Sequence, residues 1–174
     1  MPLRPTRPSF FPLLVIAAVL AAVAPRSARA QQPAEKGVLG AGLIVGEPTG
    51  VTGKYYLTDD HAIDLAIGGA VVGRGLQVHG DFLWHPWVLD QEPSFALPLY
   101  IGIGGRILNH NAGGSDDEDH VRIGVRGPVG ILFDFTRIPL DVFAEVAGVL
   151  DYHTRGDDNF GVDFNAGIGA RYYF

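Results

Sequence analysis

The chain has 174 residues, with nineteen acidic against thirteen basic side chains, a formal charge of −6 and no cysteine. The acidic balance argues against nucleic acid as a partner, and without cysteine there is no disulfide framework to hold the fold together. Twenty-four glycines, many valines and aromatics, and little helical periodicity point to an all-β protein.

Residues 1–30 carry Arg4 and Arg7, then an apolar run from Phe10 to Ala24, then Ala28-Arg29-Ala30. A basic start, an apolar centre and a small-residue site make a secretory signal peptide, with cleavage expected before Gln31. A transmembrane helix is the alternative, but the run falls short of the roughly 20 residues that a span needs. Cleavage would remove Arg4, Arg7, Arg26 and Arg29 and make the remaining chain still more acidic. What remains is a short polar lead, residues 31–37, and one domain, residues 38–174.

From Val38 onward, apolar positions alternate with polar or small ones in stretches of about ten residues, the period-2 signature of strands. Eight strands are predicted, at 38–46, 51–57, 61–72, 75–85, 95–108, 120–134, 139–151 and 162–174. Turn chemistry separates them: GEPTG (46–50), TDDH (58–61), GRG (73–75), TRIP (136–139) and RGDDNFG (155–161) are rich in Gly, Pro, Asp or Asn. Two connections are longer, PWVLDQEPS (86–94) and NHNAGGSDDEDH (109–120).

The alternation divides each strand into two faces. In the fourth, Leu76, Val78, Phe82 and Trp84 oppose Gln77, His79 and Asp81; in the sixth, Val121, Ile123, Val125, Val129, Ile131 and Phe133 oppose Arg122, Arg126 and Asp134. The seventh sets Leu140, Val142, Ala144 and Val146 against Asp141 and Glu145. The last sets Val162, Phe164, Ala166, Ile168, Tyr172 and Phe174 against Asp163, Asn165 and Arg171. Either the apolar face is a core and the charges meet water, as in a soluble exported barrel, or the apolar face meets lipid and the charges lie inside.

Three features favour lipid. In an up-and-down arrangement the even-numbered strands all finish on the side where the chain began, and Tyr55, Phe82, Trp84, Phe133, Phe135, Tyr172 and Phe174 gather at those ends. Rings collected at one rim form an interface girdle, to which His85 and Trp87 are also assigned. The polar face is balanced in charge, with Lys54, Arg106, Arg122, Arg126 and Arg171 against Asp64, Asp81, Asp141, Glu145 and Asp163. An enclosed lumen must pair its charges, and interleaved glycines such as Gly102, Gly104, Gly124, Gly130, Gly167 and Gly169 would make room for long arginines. Finally, the apolar positions are bulky with hardly a polar interruption, as a belt of tilted strands in lipid requires. The expected fold is an eight-stranded antiparallel up-and-down transmembrane β-barrel.

The signal peptide, eight alternating strands, charged lumen and terminal RYYF resemble the small outer-membrane β-barrels of the OmpA and OmpX type. GLIVGEPTGVTGKYYLTDDHAIDLAIG and PLDVFAEVAGVLD…VDFNAGIGARYYF look like a family of poorly characterised bacterial outer-membrane barrel domains, and the resemblance covers Val38 to Phe174. It implies an assembly signal in the last strand, read by the barrel assembly machinery. Gly169, Tyr172 and Phe174 match its Gly and both apolar positions, while Gly167 stands where a polar residue is usual.

Little points to catalysis. GAG (40–42) and GIGG (102–105) do not complete a nucleotide-binding G-x-G-x-x-G before a helix. His153-Thr154, with Asp151 and Asp157 nearby, is the best hydrolytic candidate, but no positioned nucleophile accompanies it. The acidic runs SDDED (115–119) and GDDN (156–159) suit solvated outer loops better than a calcium frame. His79 is expected as a hydrogen-bonded member of the lumen charge network, not a ligand, and the histidines show no metal-ligand spacing. The sequence therefore favours a monomeric, non-enzymatic barrel without cofactor or metal, closed by paired charges, in contact with outer-membrane lipids and lipopolysaccharide. A small pore or amphiphile conduit and a lipid-modifying enzyme are the alternatives.

Overall fold

A computed structural model describes residues 36–70, 75–110, 120–153 and 160–174. The signal peptide and the acidic runs at 115–119 and 156–159 lie outside the described residues. Eight strands form a closed antiparallel barrel in chain order: β1 (Leu39–Gly46), β2 (Thr49–Tyr56), β3 (His61–Ala70), β4 (Gly75–Glu92), β5 (Phe95–His110), β6 (His120–Phe135), β7 (Leu140–His153) and β8 (Phe160–Tyr173). Each strand pairs with its sequence neighbours, and β8 returns to β1 over Gly40–Gly46 and Gly167–Tyr173. Closure removes the free sheet edges that an open sheet would present.

The strands are steeply staggered. Stepping between paired residues from Gly40 through Lys54, Asp64, Asp81, Gly104, Arg126 and Val149 leads to Asp163. That residue lies on the far side of Gly167, the last β8 residue paired with β1. One circuit thus climbs the whole length of β1, which tilts the strands and narrows the barrel until side chains fill it.

Both chain ends of the barrel lie at one rim, here the terminal rim, where the connections are short: 57–60, 93–94 and 136–139. The opposite, distal rim carries the β1–β2 turn at Glu47–Pro48, where Gly46 has φ +139°. A Cβ on Gly46 would also lie 2.2 Å from the Ala166 carbonyl oxygen, so only glycine fits this corner.

The principal departure from the sequence-based expectation is β4. It does not stop at His85 but runs on to Glu92, so PWVLDQEPS is mostly strand. Beyond Trp84 this stretch pairs with β5 alone, through register shifts at Trp84/Trp87 and Val88/Gln91. Pro86, which has no N–H to donate, is tolerated there because it falls in the register shift between Trp84 and Trp87, where His85 and Pro86 together oppose Tyr100. At the other ends β2 begins at Thr49, β7 extends to His153 and β8 starts at Phe160.

The two faces part by polarity. Leu43, Val45, Leu65, Ile103, Val125, Val146, Phe164 and Ile168 are exposed on the outside, while arginines, carboxylates and tyrosines are buried within. At the terminal rim Tyr55, Phe82, Trp84, Tyr172 and Phe174 are exposed; Phe133 and Phe135 are half-exposed, with Phe133 stacked on Phe95 at 4.6 Å. His85 does not join them: it is fully buried in the lumen, because its position in the alternation is that of Asp81, not of Trp84. Nor are the rings confined to one rim, since Tyr152 and Phe160 form an edge-on pair at the distal end.

Candidate functional site: the packed lumen

The inward positions of the eight strands build a filled interior with four charged groupings and an apolar layer. In β8, Arg171 is fully buried: its Nη2 lies 2.5 Å from Asp64 Oδ2 of β3, its Nη1 3.9 Å from Asp141 of β7, and its Nε donates to Thr52 of β2 at 3.3 Å. Its guanidinium also lies 3.9 Å from the centre of the Phe143 ring, a cation–π contact strengthened by desolvation. Four strands are tied together through this one side chain.

Further toward the distal rim, Arg126 of β6 pairs with Asp81 of β4 at 3.1 Å and with Glu145 of β7, whose second oxygen accepts the Tyr100 hydroxyl at 2.8 Å. Above it, Arg106 of β5 makes a two-pronged contact with Asp151 and reaches Asn165 at 3.1 Å and Asp163 at 2.6 Å. Arg122 is half-buried near that opening, not enclosed like the other three arginines.

At the terminal rim the lead residue Lys36 folds into the mouth, with its side chain almost fully buried. It pairs with Asp134, donates to the Leu140 carbonyl at 3.3 Å and lies over the Tyr173 ring at 4.2 Å. Tyr173 is buried and donates to Asp141 at 2.5 Å. Just inside, Lys54 donates to His85 Nε2 at 2.8 Å, between the rings of Tyr56 and Tyr100. His85 Nδ1 faces the Asp60 carbonyl at 3.1 Å and therefore carries the proton that Nε2 lacks. Between these groupings an apolar layer of Ile44, Ala66, Leu83, Tyr100, Leu132 and Phe143 crosses the lumen.

Glycines shape this packing, but they make room chiefly for rings and carboxylates, not arginines. A Cβ on Gly130 would lie 2.2 Å from the Tyr100 ring, on Gly169 2.4 Å from Phe143, on Gly104 2.0 Å from Asp81 and on Gly124 2.2 Å from Asp151.

The structure therefore places Lys54, Asp64, His79, Asp81, Arg106, Arg126, Asp141, Glu145 and Arg171 together inside, with Asp163 and Arg122 toward the distal opening. Sequence reasoning missed Asp151, Tyr100, Phe143, Thr52, His85 and Lys36. Asp151 is no partner for a hydrolytic His153: it is buried against Arg106, and the His153 side chain lies outside the described residues. Period-2 counting from Asp141 through Glu145 would have reached Asp151, whereas Lys36 precedes every strand and carries no such signal. His79 is also unlike the expectation, since its Nδ1 has no hydrogen-bond partner and its Nε2 lies 4.0 Å from Asp81. Among the described residues, His79, Asp81 and Glu145 bring potential ligand atoms within 4.8 Å of one another.

Closed strand order, an apolar exterior and a charge-filled interior define an OmpA-like small eight-stranded barrel. The chain is similar to the N-terminal β-barrel domain of Pseudomonas aeruginosa OprF, with a TM-score of 0.56 and 21% identity, covering 78% of this chain and 95% of that domain. At this identity the likeness establishes the fold. No protein-family model and no curated protein matches the sequence.

Proposed function

We propose that the chain is an exported, integral outer-membrane barrel whose interior is a structural plug of paired charges, serving envelope integrity or surface interaction without catalysis. The observation that carries this reading is the inversion of polarity: Phe164 is 78% exposed on the outer wall while Arg106, Arg126 and Arg171 are each 1% exposed within. In water this arrangement would leave a continuous apolar belt exposed, far beyond the patches that soluble monomers tolerate. In hydrocarbon it satisfies both faces, and every backbone group of a closed barrel is paired.

The signal-peptide reading of residues 1–30 supplies the export route, and the short turns at the terminal rim suit the periplasmic side. The distal rim then faces outward, toward lipopolysaccharide and surface partners. In this reading Gly169, Tyr172 and Phe174 engage the barrel assembly machinery, and the protein acts as a monomer.

Fractionation with gel mobility tests the membrane placement. The chain should be found in the outer-membrane fraction and migrate faster unheated than boiled; recovery from periplasm without detergent would refute it. Planar-bilayer recording separates the plug from the pore alternative. The layer of Leu83, Tyr100, Leu132 and Phe143, each at most 2% exposed, leads us to expect no conductance above the empty-membrane baseline.

A further inference from the structure

Charge is distributed unevenly along the lumen. The half toward the terminal rim holds Lys36, Lys54 and Arg171 against Asp134, Asp64 and Asp141, an even balance. In the distal half, Arg106 and Arg126 meet four carboxylates, Asp81, Glu145, Asp151 and Asp163. Arg122, half-buried by the opening and acting on Asp163, removes only part of that surplus. The remaining negative charge is enclosed, where an uncompensated charge is most costly.

The surplus coincides with an unpaired donor. His79 is 4% exposed, its Nδ1 has no hydrogen-bond partner, and its Nε2 points to Asp81 at 4.0 Å. Neither oxygen of Asp81 accepts a hydrogen bond, although Arg126 Nε lies 3.1 Å away as an ion pair. Glu145 is held in place by Arg126 and by the Tyr100 hydroxyl, and each of its oxygens keeps a second lone pair.

We propose that His79, Asp81 and Glu145 bind one divalent transition-metal ion, of the zinc or cobalt kind, within the lumen. Three atoms no more than 4.8 Å from one another have a common point within about 2.8 Å of each, and bonds of roughly 2.0–2.2 Å are reached by side-chain movements of under about 1 Å. An imidazole among the donors selects zinc, cobalt or nickel over calcium and magnesium, which prefer all-oxygen sites. Arg126 and Tyr100 act as the outer partners that orient the carboxylates. Gly104 completes the cradle, since a Cβ there would lie 2.0 Å from Asp81 Oδ1.

The test uses the untagged, full mature chain in detergent, stripped with chelator, loaded with Co²⁺ and dialysed. We expect one ion retained per barrel, with visible ligand-field bands, and affinity at least tenfold weaker in His79→Gln while heat-modifiable mobility persists. Undiminished retention in His79→Gln would place the ion elsewhere, for instance at the acidic loops, and overturn the proposal. X-ray absorption of the zinc-loaded wild type, which needs no variant, should show one imidazole and carboxylate oxygens around the metal. Failure to retain any ion, or an all-oxygen shell, overturns the site and leaves the membrane-barrel reading standing.

Discussion

Replacing Arg171 by leucine is the sharpest probe of the lumen. The side chain is 1% exposed and serves Asp64, Asp141 and Thr52 from near the terminal-rim end of β8. Leucine would occupy much of its space but leave both carboxylates without their cation. Asp64 would keep the Thr52 hydroxyl at 3.2 Å and Asp141 the Tyr173 hydroxyl at 2.5 Å, so neither becomes wholly bare. Breaking a buried pair from one side costs about 3–5 kcal/mol, and loss of the contact with the Phe143 ring adds to it. Urea unfolding in lipid vesicles, followed by fluorescence of Trp84 and Trp87, should show a loss in that range. The triple variant Arg171→Leu/Asp64→Asn/Asp141→Asn should recover most of it, because removal of all the charges leaves none orphaned. A single-variant loss below about 1 kcal/mol, the value of an exposed pair, would refute the lumen network. So would a triple variant no more stable than the single.

Other consequences follow from the same packing. Arg126→Leu strands Asp81 and Glu145 and should cost about 3–5 kcal/mol, whereas half-buried Arg122→Leu should cost no more than about 1 kcal/mol; equal effects in the same unfolding assay would contradict the difference in burial. Gly130→Ala drives a methyl group into the Tyr100 ring and should lower stability by about 1–3 kcal/mol, with Gly130→Ala/Tyr100→Leu regaining part of it. On the outer wall Val146→Arg, in the middle of β7, should cost about 2–4 kcal/mol in lipid; an unaltered unfolding midpoint would mean that this face does not meet hydrocarbon. Deletion of Phe174 should reduce the amount of heat-modifiable barrel in the membrane fraction, and full insertion would remove the last residue from the assembly signal.

Strand number, order and facing were legible because period-2 alternation is strong wherever one side is lipid-like and the other charged. The end of β4 was not. Pro86 and the run Asp90-Gln91-Glu92-Pro93 look like loop chemistry, and only the structure reveals that these residues form a one-sided edge where such side chains are tolerated. His85 was misplaced by its neighbour Trp84, although its parity matches Asp81. The salt-bridge partners themselves were beyond reach, since Arg171 meets Asp64 across 107 positions and Arg106 meets Asp163 across 57. Period fixes the direction of a side chain, but stagger decides which charges meet. The grouping of His79 with Glu145, on β4 and β7, is hidden for the same reason.

The pairing of β8 with β1 joins the first strand of the barrel to the last. Seven strands would not be seven-eighths of a stable object in hydrocarbon: omission of either seam strand exposes two rows of backbone donors and acceptors with no water to receive them. It also removes Arg171, or the β1 wall that Arg171 lies behind. On the membrane reading proposed above, the seam makes completion all-or-none, and insertion of the whole cylinder would depend on the strand pairing that spans the greatest chain separation.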